Sequence, residues 1–157
     1  MSADLQYNLR RVRESDMKIF FEWANDDEVR ANSINPGKFT FQDHEAWFKK
    51  RMKSDDSIIY VLDIENLPAA QIRFDYNDAE KVWEISYSVS KNFRGKGIGK
   101  LLITEALNSF AHYPIVGYVK ETNQPSQNIF NALGFKNQGM HQVKNVPLIK
   151  FIKNSAL

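Results

Sequence analysis

The sequence contains no cysteine, and this absence excludes disulfide bonds, thiolate nucleophiles and cysteine-based metal sites. Its three histidines, His44, His112 and His141, lie far apart in the sequence, so no metal site is expected. Any chemistry must therefore use oxygen and nitrogen groups of the protein or a bound cofactor.

Long apolar runs are also missing. No stretch approaches the roughly 20 apolar residues that a bilayer span requires, and residues 1–13 lack an apolar run behind a basic start. We therefore expect a soluble, cytoplasmic protein with no membrane partner.

A dense basic stripe is the third absence. The 21 basic and 19 acidic residues are spread along the whole length and leave a net charge of only +2. The aromatic residues fall at positions typical of a core, so a nucleic-acid-binding domain is poorly supported and no nucleic-acid partner is expected.

The residues that are present fit one folded unit. With 157 residues, of which 43% are hydrophobic and 13% aromatic, the chain can build one core but not two. No repeat, linker or low-complexity segment interrupts it. Residues 1–157 are therefore expected to form a single domain.

Hydrophobic spacing in the N-terminal third predicts a short strand at residues 9–12 and two helices. The first helix begins at Ser15-Asp16 and ends near residues 25–27. The second begins at a capping box formed by Thr40 and Asp43 and continues to Met52. These two helices are expected to flank a cleft.

The remainder predicts strands alternating with helices. Residues 57–64 and 69–76 form a hairpin around Asn66-Leu67-Pro68, and apolar residues at every second position predict a strand over 83–90. A helix over 98–111, a strand over 115–119, a helix opening at Pro125 and one or two closing strands follow, the last over 146–152. This order predicts a mixed α/β fold.

One turn stands out chemically, because it leaves a strand and enters a helix with three glycines among basic residues. Its sequence is Arg94-Gly95-Lys96-Gly97-Ile98-Gly99-Lys100. The first N–H groups of a helix lack intrahelical partners and can point at one anion, and glycines let that anion approach the backbone. The turn therefore fits a pyrophosphate.

Two common nucleotide motifs do not match this turn. The dinucleotide fingerprint requires a different glycine spacing from 95, 97 and 99. The phosphate-loop pattern also fails, since Gly95 is one residue too near Gly99-Lys100 and Leu101 stands where Ser or Thr is required.

The motif Arg94-x-x-Gly97-x-Gly99, preceded by the strand over 84–90, resembles the acetyl-CoA signature of the GNAT superfamily of N-acetyltransferases. The downstream run Asn123-Gln-Pro-Ser-Gln-Asn128-Ile-Phe130-Asn-Ala-Leu-Gly134-Phe135 resembles the second signature of that family. The resemblance implies a central, mostly antiparallel sheet flanked by helices and splayed between the strands that end at Val89 and near Val119.

The same resemblance implies that acetyl-CoA is the acyl donor, with its pantetheine between the splayed strands. A backbone N–H near Val89 would polarise the thioester carbonyl. The residues expected to contact the cofactor belong to the strand end, the glycine turn and the second signature: Val89, Arg94, Gly95, Lys96, Gly97, Ile98, Gly99, Lys100, Asn123, Asn128 and Phe130.

Residues 23–33 are similar to a segment of family members that acetylate amino sugars on nucleotide carriers. On this basis Trp23, Asn25 and Arg30 are candidate acceptor-binding residues, together with His44 in the second helix. A structural role remains open for each, because a tryptophan on an apolar helical face is typical of a core and charged residues are typical of a solvated helix end.

For the chemistry, Glu84 is the first candidate general base, because it lies on the polar face of the cofactor strand. Asp75, His44 and Tyr118 are further candidates. Many family members carry a tyrosine as the acid where this chain has Phe130, and phenylalanine cannot donate a proton. Protonation of the thiolate must then come from water or another group such as Tyr87 or Tyr118, or else efficient catalysis is lost. We take Glu84 and Tyr118 as the catalytic pair.

The expected reaction is acetyl transfer from acetyl-CoA to a small-molecule primary amine by direct attack. The leading acceptor is the amino group of a nucleotide-linked deoxy-amino-sugar, and a ribosomal-protein N-terminus or a polyamine is the alternative. A non-catalytic acyl-CoA-binding sensor module is a second alternative, which Phe130 keeps open. A homodimer through the terminal strands is also considered.

Overall fold

The computed structural model describes residues 5–156. Its strands are β1 (Tyr7–Arg11), β2 (Ser57–Ile64), β3 (Leu67–Asn77), β4 (Val82–Val89), β5 (Ile115–Val119), β6 (Lys136–Val143) and β7 (Val146–Lys153). Its α-helices are α1 (Met17–Ala24), α2 (Asp27–Ala31), α3 (Phe41–Met52), α4 (Ile98–Ser109) and α5 (Gln124–Ala132). Single 3₁₀ turns cover Glu14–Asp16 and Lys91–Phe93.

All of the strands join one seven-stranded sheet in the order β1-β2-β3-β4-β5-β7-β6. Every neighbouring pair is antiparallel except β4 and β5, which run parallel. The predicted mixed α/β fold with a mostly antiparallel sheet is therefore confirmed. None of the helices within residues 5–156 has the length and hydrophobicity needed to cross a membrane.

Helices cover both faces of this sheet. On one face, Ile59 and Val61 of β2 pack against Phe20, Trp23 and Phe48 from α1 and α3. The alternate residues of β2 and β3, including Leu62, Ile72 and Phe74, point the other way and pack with α4 and α5 in the larger cluster. The sheet therefore separates an α1/α3 face from an α4/α5 face.

The N-terminal third differs from the sequence prediction in its first strand, which covers Tyr7–Arg11 rather than residues 9–12, and in the number of its helices. The first helix ends at Ala24, and a separate helix, α2, begins after Asp26. The Asp26 carboxylate accepts hydrogen bonds from the N–H groups of Glu28 and Val29, both at 3.1 Å. This side-chain cap starts a new helix at the point where the charge pattern alone suggested an end.

The hairpins also turn at slightly different positions from those predicted. Between β2 and β3 the turn is Glu65-Asn66, both with positive φ, so that Leu67 and Pro68 already belong to β3. Lys144-Asn145 adopt the same conformation between β6 and β7, and this resolves the chain end as two strands. Two residues with positive φ form the turn that suits the twist of a tight hairpin.

Candidate active site

The two parallel strands separate part-way along their length. β4 pairs with β5 only through residues 83–85, opposite 115–117. Beyond that point β4 remains paired with β3 as far as Val89, and β5 remains paired with β7 as far as Val119. The predicted splay is therefore present, and it opens a wedge between residues 86–89 and 118–119.

The glycine turn lies directly after the β4 side of this wedge. Gly95 and Gly97 have φ values of 75° and 76°, and Gly97 is the N-cap of α4. Ile98, the first residue of α4, is buried, whereas Lys96 and Lys100 are exposed. The unpaired N–H groups at the start of α4 and two lysine side chains therefore lie at the same end of the wedge, as an anion site requires.

Small residues shape the wall beside this turn. A Cβ added at Gly99 would lie 3.1 Å from Ile129 Cδ1 and 3.4 Å from Tyr87 Cε2, so α4 approaches β4 and α5 closely. Neither Gly95 nor Gly97 has a heavy atom within 4 Å of an added Cβ, apart from chain neighbours. The backbone of the turn is thus open to an anion while its base is tightly packed, which fits a bound pyrophosphate.

Arg94 makes contacts with α2 and β4 that the sequence did not indicate. Its guanidinium donates to the carbonyl of Val89 at 3.0 Å and to the Asp26 carboxylate at 2.7 Å, and lies 3.0 Å from a carboxylate oxygen of Glu28. Burial alone would raise the pKa of Asp26, but hydrogen bonds from Arg94 and the α2 backbone lower it below its ordinary value. Arg94 therefore ties the glycine turn to α2.

A second contact holds the other end of α2. The Lys120 ammonium donates to the carbonyl of Ala31 at 2.8 Å. Lys120 follows β5 directly, as Arg94 follows the end of β4 after one 3₁₀ turn. The short helix α2 is therefore anchored to the ends of both splayed strands and bridges the mouth of the wedge.

Glu84 lies on the α1/α3 face, opposite Asp75 of β3. Burial raises the pKa of the Glu84 carboxyl, and the charges of Glu80 and Asp75 raise it further, against opposing effects of Asn77 and Lys144. Asp75 itself is occupied by Arg51 at 2.8 Å, Arg73 at 2.6 Å and the Ser57 hydroxyl at 2.6 Å. Asp75 thus has three hydrogen-bonding partners, and Glu84 is the better placed of the two carboxylates to accept a proton.

Tyr118 is close to this carboxylate. Gly117 faces Phe130 on the α4/α5 face, so the next residue along β5 points to the α1/α3 face, the same face as Glu84. Burial raises the pKa of the Tyr118 phenol, and the charges of Glu80 and Glu84 raise it further. Glu84 and Tyr118 therefore lie on the same face of neighbouring strands, with Glu84 beside the closed end of the wedge. Their catalytic roles stay a prediction.

The second signature forms α5. Asn123 is its N-cap and accepts a hydrogen bond from the Ser126 N–H at 3.3 Å, while the exposed Asn128 accepts one from Gln124 at 2.8 Å. Phe130 is buried, and a Cβ added at Gly117 would lie 2.9 Å from its Cζ atom. Phe130 thus packs on β5 at the base of the wedge.

Two of the predicted acceptor-binding residues belong to the core. Trp23 is buried beside Phe20, and their ring centroids are 5.5 Å apart. His44 is buried among aromatic rings, and its Nε2 atom has no hydrogen-bond partner among residues 5–156. Burial lowers the pKa of His44, which favours the neutral ring, so the structure indicates packing as its role. Acceptor contact by either residue stays a prediction.

The other two predicted acceptor-binding residues brace the loop between α2 and α3. Asn25 donates to the carbonyl of Phe39 at 2.9 Å and accepts from its N–H at 2.8 Å. Arg30 donates to the carbonyls of Asn35 and Gly37 and lies 4.6 Å from the centroid of the Phe39 ring. Both side chains hold the loop that follows α2, and their direct contact with an acceptor stays a prediction.

Sequence reasoning missed three of the residues that organise this site. Asp26 and Lys120 anchor α2, and Ser126 forms a hydrogen bond with Tyr87. Asp26 could have been found, because an aspartate three residues before an apolar position is a typical helix cap. The partners of Lys120 and Ser126 lie far away in sequence, so no local pattern indicated them.

The acetyltransferase (GNAT) domain family matches residues 6–136 of the chain. No curated protein sequence matches it. Among solved structures, spermidine N-acetyltransferase from Vibrio cholerae, in complex with CoA and spermine, is similar with a TM-score of 0.82 and 16% identity, over 96% of this chain and 96% of that chain.

Two further solved structures share the fold but are described with different acceptors. Aminoglycoside acetyltransferase AAC(6')-Ib in complex with coenzyme A has a TM-score of 0.78 and 17% identity, over 95% of this chain and 95% of that chain. The ribosomal L7/L12 α-N-protein acetyltransferase RimL in complex with coenzyme A has a TM-score of 0.77 and 15% identity, over 99% and 96%. At these identities the likeness establishes the architecture.

Proposed function

The chain belongs to the GNAT acetyltransferase family, because that family matches residues 6–136, and we propose that it acetylates the amino group of a nucleotide-linked deoxy-amino-sugar. It is an acyl-CoA-dependent N-acetyltransferase with acetyl-CoA as the acyl donor. The observation that carries the reaction is the wedge between β4 and β5, which has the glycine turn at its open end and Glu84 beside its closed end on the α1/α3 face.

Donor binding is assigned to the turn and the strands beside it. The N–H groups at the start of α4, with Lys96 and Lys100, would hold the pyrophosphate. The pantetheine would lie in the wedge, where residues 86–89 of β4 have no partner strand on the β5 side. A backbone N–H near Val89 would polarise the thioester carbonyl, and bound acetyl-CoA supplies the acetyl group itself.

Amine activation is assigned to the α1/α3 face. Glu84 would accept a proton from the attacking amine, directly or through water, and its raised pKa makes it a stronger base than an exposed carboxylate. Tyr118 would share this face as a polar neighbour of the reacting atoms. Holding donor and acceptor together supplies much of the rate by proximity.

The choice of acceptor is supported by residues 23–33, which resemble the corresponding segment of amino-sugar acetyltransferases. This segment contains α2, and Arg94 and Lys120 hold α2 beside the mouth of the wedge, where an acceptor would enter. Carboxylates at Glu80 and Glu84 favour a polyamine as the second candidate, because an acidic wall attracts a cationic acceptor. A ribosomal-protein N-terminus is the third.

These alternatives can be separated by mixing the protein with acetyl-CoA and each amine class, and following thiol release with a thiol-reactive dye. The protein has no cysteine, so its own background is nil. Thiol release with nucleotide-linked amino-sugars alone would support the proposal, whereas release with polyamines or N-terminal peptides would replace the acceptor. If CoA raises the melting temperature but no amine releases thiol, the sensor-module alternative would be favoured.

A further inference from the structure

A pair of hydroxyl groups connects the open part of β4 to α5. The Tyr87 hydroxyl and the Ser126 hydroxyl lie 2.5 Å apart, and either can be the donor. Tyr87 lies beyond the last residue of β4 that pairs with β5. Ser126 is buried in the first turn of α5. The contact therefore spans the wedge on the α4/α5 face.

Tyr87 and Glu84 point to opposite faces of the same strand. Glu84 faces α3, as its strand neighbour Asp75 does through Arg51. Tyr87 faces α4 and α5, as its contacts with Gly99 and Ser126 require. A thioester lying in the wedge between β4 and β5 would therefore have a carboxylate on one side and a phenol on the other.

Phe130 cannot provide a proton, but it orients the phenol. Its ring is buried against Gly117, and the Tyr87 ring meets it edge to face with centroids 6.3 Å apart. The Tyr87 ring also packs closely on α4, because its Cε2 atom would lie 3.4 Å from a Cβ added at Gly99. With Ser126 holding the hydroxyl, the phenol is fixed at the ring and at the oxygen.

We infer, on the basis of the proposed acetyl transfer, that Tyr87 is the acid that protonates the departing thiolate, and that Ser126 is its positioning residue. As the amine nitrogen bonds to the acetyl carbon and the carbon–sulfur bond breaks, Glu84 accepts one proton from the amine. Tyr87 gives one proton to the sulfur, and the tyrosinate regains a proton from solvent while Glu84 returns one. The products are an amide and a free thiol.

The surroundings of Tyr87 suit this step. Burial raises the pKa of its phenol, while the hydrogen bond with Ser126 partly opposes that rise, so the group is protonated at neutral pH and available to donate. The N-terminal end of α5 carries a partial positive charge, which stabilises negative charge on the oxygen during transfer. Tyr118 lies on the face of Glu84, where it can contact the amine side of the reaction.

A binding experiment tests the contact with sulfur without relying on turnover. Protein carrying ¹³C at Cζ of tyrosine is titrated with CoA and with desulfo-CoA, which lacks the sulfur, and Tyr87→Phe identifies the Tyr87 resonance. We expect a shift of this resonance with CoA that desulfo-CoA does not reproduce. Equal shifts with both ligands would overturn the inference, because the phenol would then not sense the thiol.

Kinetics of the same variant test proton donation. Tyr87→Phe keeps the ring that packs on Phe130, and we expect kcat to fall by about 10²-fold or more while the dissociation constant of CoA stays within about twofold. The alkaline limb of the kcat–pH profile should disappear. Ser126→Ala should show a smaller loss of kcat and a displaced alkaline limb, and Ser126→Thr should restore both. A purely structural role of these residues would change the melting temperature and leave the kcat–pH profiles of both variants parallel to that of the wild type.

Tyr60→Phe is the matched control, since it removes a tyrosine hydroxyl from β2, away from the wedge. Wild-type kcat in Tyr87→Phe would overturn the inference while leaving the proposed acetyl transfer intact. Failure of the wild type to release thiol with any amine would instead overturn the proposed function, and the CoA titration would still decide whether Tyr87 contacts the sulfur.

Discussion

The paired and splayed halves of β4 and β5 belong to the same two strands but have opposite properties. In the paired half, residues 83–85 and 115–117 are closely packed, and Phe130 and Ile85 fill the space above Gly117. In the splayed half, β4 remains paired with β3 and β5 remains paired with β7, but β4 and β5 no longer pair with each other. The packed core thus gives way to the candidate site within two residues, because β4 stays with β3 while β5 stays with β7.

Among the variants that test this contrast, the largest change in kcat is expected from Glu84, which lies next to the last residue of β4 that pairs with β5. Glu84→Gln should lower kcat by about 10²–10⁴-fold, because the amide cannot accept the amine proton. CoA affinity should remain within about twofold, since the donor site lies in the splayed half. Steady-state kinetics and calorimetric titration with CoA measure the two quantities.

The pH profile provides the control for this variant. A base must be ionised to act, so activity should rise with pH through the raised pKa of Glu84. Glu80→Gln removes a charge that raises this pKa, and should therefore move the acid limb to lower pH with little change in the plateau. An unmoved acid limb in Glu80→Gln would assign that limb to another group.

Next in size is a substitution in the paired half. Gly117→Ala places a Cβ 2.9 Å from the Phe130 ring and 3.3 Å from Ile85, and overpacking of this kind costs about 1–3 kcal/mol. Gly37→Ala is the matched control, because nothing lies within 4 Å of its added Cβ and its φ is not positive. Urea unfolding of both variants should show a loss of stability for Gly117→Ala alone.

Replacement of Gly97, in the turn that follows the splayed end of β4, should lower stability for a different reason. Gly97→Ala meets no atom within 4 Å, but its φ of 76° costs an L-residue about 1–2 kcal/mol. We expect a smaller loss of stability than at Gly117, together with weaker CoA binding as the turn relaxes. Unchanged CoA affinity would argue that the turn does not hold the pyrophosphate.

The smallest effect is expected at the link between α2 and the glycine turn. Asp26→Asn keeps a good helix cap but removes the charge that pairs with Arg94 at 2.7 Å, which should cost less than about 1 kcal/mol. The Arg94 guanidinium keeps Glu28 and the Val89 carbonyl as partners, but with one carboxylate removed it should raise CoA affinity by up to about fivefold at low salt. A loss of affinity would instead show that the Arg94–Asp26 pair holds the turn in its binding shape.

Several features of the site could be predicted from local patterns. The period-two spacing that placed Glu84 and Tyr87 on opposite faces of β4 is a property of any strand. The predicted glycine turn between a strand and a helix is present, and Gly97 is the N-cap of α4. The second signature could be read as a helix because Asn123 and Pro125 form a typical helix start.

Other features depended on partners that are remote in sequence. Arg94, which is predicted to contact the cofactor, also pairs with Asp26, and the predicted acceptor residues Arg30 and Asn25 also brace a loop. Their residue types fit both roles equally well. The structural partners of these side chains lie elsewhere in the sequence, so only the fold could reveal those contacts.

By itself, the sequence determined the order of the strands and of the helices other than α2, the glycine turn and the candidate base, because each depends on residues adjacent in the chain. Only the tertiary structure decided where the wedge opens, that α2 bridges its mouth, and that Tyr87 meets Ser126 across it. These features arise from contacts between segments separated by tens of residues. Such contacts are fixed by packing of the whole sheet, which no local pattern encodes.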